Sequence, residues 1–294
     1  MLRKTFLQTL LTIPFAGAAM KLQDLHTITE RFANSERMPV LFVGHGSPMN
    51  AIEENEFTEG WENAGTSIAK PNAILAISAH WETRGTMVTA MEKPLTIHDF
   101  GGFPQELFEV EYPAPGSPEL AKEVVETIKQ TDVRLDDKWG LDHGTWSVVK
   151  HIYPNADVPI VQMSLDYYRS PQEHYALAKE LAALRKKGIL IIGSGNIVHN
   201  LRMIAWDKIE EIGYGFDWAN EANDKVKKLI VEKNHEALMN YQSLGTAVKM
   251  SIPTPEHFLP LLYTLALQEE DEQTSFFNDK PVAGSLTMTS IKIA

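Results

Sequence analysis

The sequence predicts a single α/β domain: one mostly parallel central sheet with helices on both faces. Three observations support this fold class. Apolar stretches of strand length alternate with amphipathic stretches of helix length along the 294 residues. The strand-like stretches are apolar throughout, as expected for parallel strands that are covered on both sides. No Gly-, Ser- or Pro-rich linker and no internal repeat divides the chain, and its length suits one large α/β domain.

The chain up to residue 165 predicts strands at residues 39–43, 73–79, 86–91 and 158–165. A helix is predicted at 119–130, because Leu120, Val124 and Ile128 share one face and Ser117-Pro118 is typical of a helix start. A shorter helix is predicted at 145–152.

The second half predicts one long amphipathic helix at 171–187, followed by a strand at 189–192 that runs into Gly193-Ser194-Gly195-Asn196. Further helices are predicted at 217–232 and 255–267. The apolar stretch 282–293 predicts either a pair of strands or one long strand.

The charge and cysteine content exclude several classes of function. The formal net charge is −12, from 39 acidic and 27 basic residues, so the surface repels phosphate backbones and nucleic acid is not an expected partner. The densest basic run, Arg185-Lys186-Lys187, is expected to be a solvated helix end. The chain has no cysteine, which excludes disulfides, thiolate metal sites and a cysteine nucleophile. Any transition metal must be held by His, Asp and Glu, which favours iron, zinc or manganese.

The N-terminal residues 1–19 have the layout of a signal peptide. Arg3 and Lys4 precede a mostly apolar stretch that ends in small residues at 16–19. This stretch is too short to span a membrane comfortably, so no integral membrane segment is expected. Two interpretations stay open: an export signal, which we prefer and which predicts a periplasmic protein, or a true start at Met20, which predicts a cytoplasmic one.

Three histidines follow predicted strands directly or within a few residues: His45, His80 and His199. The carboxyl ends of strands in an open α/β sheet form its ligand crevice. We therefore expect these imidazoles to converge at one edge of the sheet, where they form a metal site. His45 lies between Gly44 and Gly46, which allow a tight turn.

Two further histidines start predicted helices. His143 follows Asp142 in a turn, where it is either a functional group or incidental to the helix start. At 254–257, Thr254 is expected to cap a helix, with Pro255 in its first position and Glu256 at its positive end. His257 has no such structural explanation and is a candidate metal ligand, with Glu256 the alternative.

The remaining histidines are weaker candidates. His98 lies in an aromatic, glycine-rich loop with Phe100, which predicts either one wall of a pocket for a flat aromatic substrate or a rigid surface turn. The histidines expected at the surface are His26, His151, His174 and His235. The chain has neither a phosphate-binding loop, nor a serine-hydrolase elbow around Ser194, nor a His-Glu-x-x-His zinc helix.

Six motifs occur in an order that resembles the 4,5-DOPA extradiol dioxygenases, members of the class III ring-cleaving superfamily that includes the β subunit of protocatechuate 4,5-dioxygenase. The resemblance covers residues 38–294, which it identifies as a catalytic domain. The motifs are GHGSPMN at 44–50, SAHW at 78–81, HDFGGFP at 98–104, DHGTW at 142–146, SGNIVHNL at 194–201 and TPEH at 254–257.

The resemblance implies a nonheme metal, Fe(II) for activity, with zinc bound in many purified members. It implies that His45, His80 and His257 are metal ligands. His199 is either a fourth ligand or an acid/base group beside the metal, and His143 faces substrate and oxygen. More distant members complete the site with a carboxylate, whereas the matching position here is His257, so the native metal stays open between iron and zinc.

The implied reaction is extradiol cleavage of a DOPA-like catechol by O₂, which gives a muconic semialdehyde-type product. A histidine, with an ordinary pKa near 6.5, can take a proton from the catechol and return it; His143 and His199 suit this task. Substrate contacts are expected from His98, Phe100 and Trp81. Two alternatives remain: a zinc-dependent hydrolase or amidohydrolase that uses the same histidines, and a non-catalytic binding protein.

Overall fold

The structure is a computed structural model that describes residues 36–294. Its centre is an eight-stranded sheet with the strand order β5-β3-β7-β2-β8-β1-β12-β9. The central strands β7, β2, β8 and β1 are parallel, while β12 and β9 run antiparallel at one edge. This confirms the predicted mostly parallel sheet.

The strands of the main sheet are β1 (Val40–Gly44), β2 (Ala73–Thr83), β3 (Thr86–Thr89), β5 (Val133–Asp136), β7 (Ile160–Asp166), β8 (Ile189–Gly195), β9 (Thr274–Phe277) and β12 (Ser290–Ile293). Two small sheets pair β4 (Leu95–Thr96) with β6 (Gly140–Leu141) and β10 (Pro281–Val282) with β11 (Leu286–Thr287). The core strands β1, β7 and β8 are buried at every position, which explains their continuous apolar sequence.

The helices are α1 (Glu56–Thr66), α2 (Gln105–Phe108), α3 (Pro118–Thr127), α4 (His143–Ile152), α5 (Pro171–Glu180), α6 (Ala182–Arg185), α7 (Asp217–Val231), α8 (His235–Met239), α9 (Thr246–Ser251) and α10 (Leu259–Ala266). Trp146 of α4 packs with Leu41, Ile74 and Ile192 in the core, while α10 lies against Gly193 of β8. Because neighbouring strand residues point to opposite faces, these helices cover the two faces of the sheet, as predicted.

Two predicted helices have different bounds in the structure. The helix expected at 171–187 is divided at Leu181 into α5 and α6. The helix expected from Pro255 begins only at Leu259, and Phe258 occupies its N-cap position. The prediction that Thr254 and Pro255 start this helix is therefore wrong, and the segment before Leu259 is a turn. The stretch 282–293 contains three short strands rather than one or two.

Two residues expected at the surface are buried. Arg185 is 0% exposed because its guanidinium pairs with Glu272 instead of extending into solvent. His174 is also 0% exposed, since it lies on the inner side of α5, where its Nδ1 is 2.9 Å from the hydroxyl of Tyr263. His26 and the signal-like segment 1–19 lie outside the described residues. None of the helices in residues 36–294 combines the length and the apolar composition that a membrane span requires.

Candidate metal centre

Two histidines meet at the carboxyl ends of β1 and β2, which lie on either side of β8 in the sheet. His45 directly follows β1. The next residue, Gly46, adopts a φ of +61°, so the chain turns sharply there. His80 lies within β2, between Ile77 and Glu82, where the pairing with β7 changes register. The Nε2 atoms of His45 and His80 are 3.1 Å apart. The convergence expected from the strand ends is confirmed for this pair.

His257 reaches the same place from the turn before α10. The backbone N–H of Asn196, just past β8, donates to the carbonyl of His257 at 2.9 Å. A Cβ atom at Gly195 would lie 2.2 Å from this carbonyl oxygen, so only glycine allows the turn to approach the strand end this closely. The glycine in the Ser-Gly-Asn motif thus has a direct role in delivering His257.

One nitrogen from each of His45, His80 and His257 lies within 4.8 Å of the others. The remote nitrogens of two rings have protein partners: Nδ1 of His45 is 3.0 Å from Ser194 Oγ, and Nδ1 of His257 is 3.1 Å from Glu256 Oε1. The Ser194 hydroxyl donates to the carbonyl of Gly144, so it accepts the proton of His45 Nδ1. Both rings therefore keep an unprotonated Nε2.

This donor set fits a divalent metal. Nε2 of His257 is buried and has no hydrogen-bond partner among residues 36–294, which is costly unless a ligand occupies it. Three neutral imidazole nitrogens are a common protein contribution to a zinc site and also suit iron. The partners on Nδ1 orient the rings as in known metal sites.

The site keeps its histidines neutral. Burial lowers the pKa of His45 and His257 well below the ordinary value, and the nearby imidazoles lower it further. Burial likewise lowers the pKa of His80 to about 3, with His143 contributing and Asp99 opposing. A neutral imidazole is the form that binds a metal, so no proton has to be displaced from these rings at neutral pH.

His199 lies beside this group of three. Its ring stacks on His257 with 3.4 Å between centroids and 8° between planes, and its backbone N–H donates to Ser251 O at 2.9 Å. A nitrogen of His199 also lies within 4.8 Å of both Glu256 and His257. Burial lowers the pKa of His199 to about 4, against the charge of Glu256. This position agrees with either of the roles predicted for His199.

His143 approaches from the opposite face of the sheet, at the start of α4. Its ring centroid is 3.9 Å from that of His80 and 5.7 Å from that of His45. Asp142 caps this helix by accepting the N–H of Thr145 at 3.1 Å, and the amide of Gln162 donates to its other oxygen. Burial raises the pKa of Asp142 to about 6, and the charge of Asp99 adds to this effect.

Asp99 is a residue that sequence reasoning missed. Its Oδ1 accepts the backbone N–H of His143 at 2.9 Å, and its Oδ2 lies 3.0 Å from His143 Nδ1 and 3.6 Å from His80 Nδ1. The three side chains form a second group whose ligand atoms lie within 4.8 Å of one another. The available signal was its place next to His98 and Phe100 in the loop motif, but nothing in the spacing assigned it a partner.

The residues expected to contact substrate lie in different surroundings. Phe100 has its ring centroid 5.5 Å from that of His143, edge to face, and so forms one wall of the site. His98 lies behind Phe100, 5.7 Å away, and its Nε2 is 3.0 Å from Val110 O. Trp81 stacks on Trp139 at 5.6 Å and is 4% exposed. The structure thus places Phe100 beside the histidines, and Trp81 in a packed aromatic pair.

Comparisons with known proteins point to one family. The model of the family described as the catalytic LigB subunit of aromatic ring-opening dioxygenase matches residues 39–290. The 4,5-DOPA dioxygenase extradiol of Escherichia coli K12 is 46% identical over 266 residues, which cover 88% of this chain and 96% of the relative. The protein of the same name from Beta vulgaris is 34% identical over 260 residues, covering 85% and 94%.

A solved structure has the same fold. The crystal structure of an uncharacterized protein from Escherichia coli K12 is similar to this chain with a TM-score of 0.76 and 41% sequence identity. The matched region covers 88% of this chain and 100% of that one.

Proposed function

The chain belongs to the LigB family of aromatic ring-opening dioxygenases, an extradiol family of oxidoreductases, and on this premise we propose that it opens the ring of a DOPA-like catechol beside its two hydroxyl groups. Both atoms of O₂ enter the product, one ring carbon–carbon bond breaks, and a muconic semialdehyde-type compound results without an external reductant. The observation that carries the proposal is the convergence of His45, His80 and His257 on one point.

We assign the metal to these three histidines, with His199 as a fourth ligand or as an acid/base group. A bound divalent metal supplies a Lewis acid that lowers the pKa of the catechol hydroxyls and, as Fe(II), a redox centre for oxygen. Fe(II) is proposed for activity, and Zn(II) is expected in protein purified without added iron.

The protein side chains around the metal bind, orient and move protons. Phe100 packs against one face of the site, beside His143, and can hold a flat ring by an edge-to-face contact. His143 takes a hydroxyl proton when the diol binds and returns it as the ring opens. His199, stacked on His257, is the second group placed to exchange a proton. His98 supports Phe100 from behind.

The test is oxygen uptake by reconstituted protein. Metal-free protein is loaded with Fe(II) under nitrogen, mixed with L-DOPA and exposed to air, while oxygen and the visible spectrum are recorded. We expect one O₂ consumed per catechol and a new yellow chromophore, both absent in His45→Ala and His143→Ala. His174→Gln is the matched control, because His174 is equally buried but lies beside Tyr263. No uptake with any of a panel of catechols, despite a filled site, contradicts the proposal.

One observation favours a second candidate function, a zinc-dependent hydrolase. The group formed by His45, His80 and His257 contains no carboxylate, and three histidines with an open position suit zinc that activates water. Hydrolysis does not depend on O₂ or on iron. If zinc-loaded protein cleaves an amide or ester under nitrogen while the Fe(II) form leaves catechols intact, the hydrolase replaces the dioxygenase.

For the N-terminus we propose that residues 1–19 direct export to the periplasm and that residues 38–294 form the catalytic domain. The basic start and short apolar stretch of the sequence support this proposal. Sequencing the N-terminus of the protein recovered from periplasmic and cytoplasmic fractions tests it. A full-length or Met20 start in the cytoplasm contradicts export.

A further inference from the structure

One carboxylate lies between the two histidines that do different tasks in the proposed function. Asp99, in the loop between β4 and α2, contacts His143 through both oxygens: Oδ1 accepts the backbone N–H at 2.9 Å, and Oδ2 lies 3.0 Å from Nδ1. The same Oδ2 lies 3.6 Å from Nδ1 of His80. His80 is a proposed ligand and His143 a proposed acid/base group, so Asp99 contacts both halves of the site.

The contact determines where each ring carries its proton. A carboxylate is an acceptor only, so a ring nitrogen that faces it is stabilised in the protonated form. Nδ1 of His143 is buried, and Asp99 is at ion-pair distance without full hydrogen-bond alignment. No other acceptor contacts this nitrogen within residues 36–294. A neutral imidazole with its proton on Nδ1 has its lone pair on Nε2.

We propose that Asp99 is a positioning residue that keeps the protons of His80 and His143 on Nδ1 at the same time. This inference rests on the proposed function. It leaves Nε2 of His80 free for the metal and Nε2 of His143 free to take a proton from the substrate. The Asp99 side chain therefore fixes the tautomer of both the proposed ligand and the proposed acid/base group.

The loop that carries Asp99 also carries the proposed substrate wall. Phe100 follows directly, and its ring contacts His143. Gly101 and Gly102 come next, and a Cβ atom at either would meet nothing within 4 Å, so this side of the loop is open.

A competing role for Asp99 is direct metal binding, since His80, Asp99 and His143 also lie close enough to hold an ion. That role requires Oδ2 to turn from the two Nδ1 atoms towards a metal. His80 Nε2 instead lies 3.1 Å from His45 Nε2, on the side of the ring away from Asp99. The geometry therefore favours positioning, and the experiment separates the two roles.

The experiment compares Asp99→Asn with the unaltered protein. Asparagine keeps an oxygen for the His143 N–H but offers an amide N–H₂ or a neutral oxygen to the Nδ1 atoms. Three quantities are measured: zinc affinity by chelator competition, kcat and KM for L-DOPA with Fe(II), and the ¹⁵N shifts of the histidine rings in zinc-loaded protein. Asp279→Asn is the matched control, because that carboxylate is also hydrogen-bonded but its partners are Asn223, Thr289 and Lys227.

We expect Asp99→Asn to lower kcat by about 10²- to 10⁴-fold, as for loss of a carboxylate that fixes a histidine tautomer, with KM changed less than about threefold. Zinc affinity should fall by roughly 10- to 100-fold, as for loss of a partner behind a metal ligand. The ¹⁵N pattern of His143 should change towards the tautomer with the proton on Nε2. Asp279→Asn should leave all three unchanged.

Two results overturn the proposal. Complete loss of metal, equal to that of His80→Ala, would make Asp99 a ligand. An unchanged ¹⁵N pattern together with unchanged kcat would show that it sets neither tautomer. Failure of the proposed function is distinguishable, because unaltered protein would then cleave no catechol, whereas the zinc affinity and ¹⁵N shifts would still report on Asp99.

Discussion

The two ends of the same central strands both contain buried ionisable groups. At one end these groups are hydrogen-bonded to each other, and at the other end some of their nitrogens have no partner among the residues that the structure describes. At the amino ends of β1 and β8, Arg185 and Glu272 form an ion pair in which both side chains are 1% exposed. At the carboxyl ends, four histidine rings lie within a few ångströms of one another, and their partners leave ring nitrogens free. The comparison separates groups that hold the fold together from groups that are kept available for a ligand.

At the amino end every nitrogen of the Arg185 guanidinium has an acceptor. Its Nε donates to Met38 O at 2.8 Å, and Nη1 donates to Leu267 O at 2.6 Å and to Glu272 Oε2 at 2.9 Å, while Nη2 bonds the other Glu272 oxygen. Burial raises the pKa of Glu272, but the hydrogen bonds from Arg185 and the N–H of Glu269, together with the charges of Arg185 and Arg37, outweigh burial and hold the pKa below its ordinary value. This cluster ties the chain before β1 to the end of α10 and leaves no capacity for a ligand.

At the carboxyl end, by contrast, the buried ionisable groups are neutral and some of their nitrogens have no partner within residues 36–294. The lowered pKa values of His45, His80 and His257 mean that the cluster avoids charge by staying unprotonated. Neutral rings with free Nε2 atoms are not the most stable way to fill a core, because buried polar atoms without partners are costly. A metal bound to these nitrogens, as proposed, would remove that cost.

The strongest test of this comparison is His45→Ala at the carboxyl end. We expect the rate of catechol cleavage to fall by at least roughly 10³-fold, since the metal loses a ligand and the acid/base groups lose their substrate. The free energy of unfolding of the metal-free protein should change by less than about 2 kcal/mol, because the ring loses only its contacts with Ser194 and His80. Oxygen uptake and urea unfolding measure the two quantities.

A metal-free His45→Ala protein that fails to fold would contradict the conclusion that the histidines are kept for a ligand, because the histidine cluster would then be needed for stability. His257→Ala serves as the independent second variant, since His257 approaches from another segment, the turn before α10.

At the amino end we expect the reverse pattern from Arg185→Met. Removing Arg185 leaves the buried carboxylate of Glu272 with only Arg37, at 3.1 Å, and the backbone N–H of Glu269 as partners, which costs up to about 3–5 kcal/mol of unfolding free energy. Cleavage activity per folded molecule should stay the same, because Arg185 lies at the other end of the strands. Urea unfolding and the specific activity of the folded fraction are the measurements.

The double variant, with Arg185→Met and Glu272→Met, should recover most of the lost stability, since no buried charge then remains unpaired. If the double variant is as unstable as the single one, the two backbone carbonyls that Arg185 binds, rather than Glu272, carry the effect.

The difference between the two ends also explains what the sequence could predict. Continuous apolar runs predicted β1, β2, β7 and β8, and strand ends predicted that His45 and His80 would meet. The prediction that Arg185 is exposed to solvent was wrong. A basic run at a helix end is usually solvated, and the acceptor of Arg185, Glu272, lies far along the chain. Buried ion pairs depend on such distant partners, which one sequence does not reveal.

The sequence predicted the histidines of the candidate site but not the side chain that contacts two of them, Asp99. His257 was found because Thr254, Pro255 and Glu256 had structural explanations, although the helix they were expected to start begins only at Leu259. Asp99 was missed because its partners, His80 and His143, lie 19 and 44 residues away. His174 was placed on the surface because an imidazole on an amphipathic helix gives no sign of a buried tyrosine opposite it.

His174 tests whether burial alone explains low histidine pKa values in this fold. Burial lowers its folded pKa to about 4, below the ordinary value near 6.5 in the unfolded chain. As pH falls from 6.5 towards 4, the unfolded state binds an extra proton, so stability is lost in that window. Between pH 7 and pH 4.5 we expect His174→Gln to lose about 2 kcal/mol less stability than the unaltered metal-free protein.

Urea unfolding at the two pH values gives this difference. Tyr263→Phe is the control, because it removes the hydrogen-bond partner of His174 but keeps the ring. It should be less stable at both pH values and equally sensitive to acid. Equal acid sensitivity of His174→Gln and the unaltered protein would show that His174 titrates normally.

The smallest expected effect comes from Ser194→Ala, which leaves all histidines in place. Within residues 36–294, Ser194 Oγ is the only partner of His45 Nδ1. Its loss frees the ring to take the other tautomer, and we expect it to weaken the proposed metal site by about 10- to 100-fold in affinity. Ser164→Ala is the matched control, since this serine is also buried but bonds Thr83 and Met87. Competition with a chelator measures both. An unchanged affinity in Ser194→Ala would mean that packing, rather than this hydrogen bond, orients His45, and the carboxyl end would then resemble the amino end in being held mainly by its own contacts.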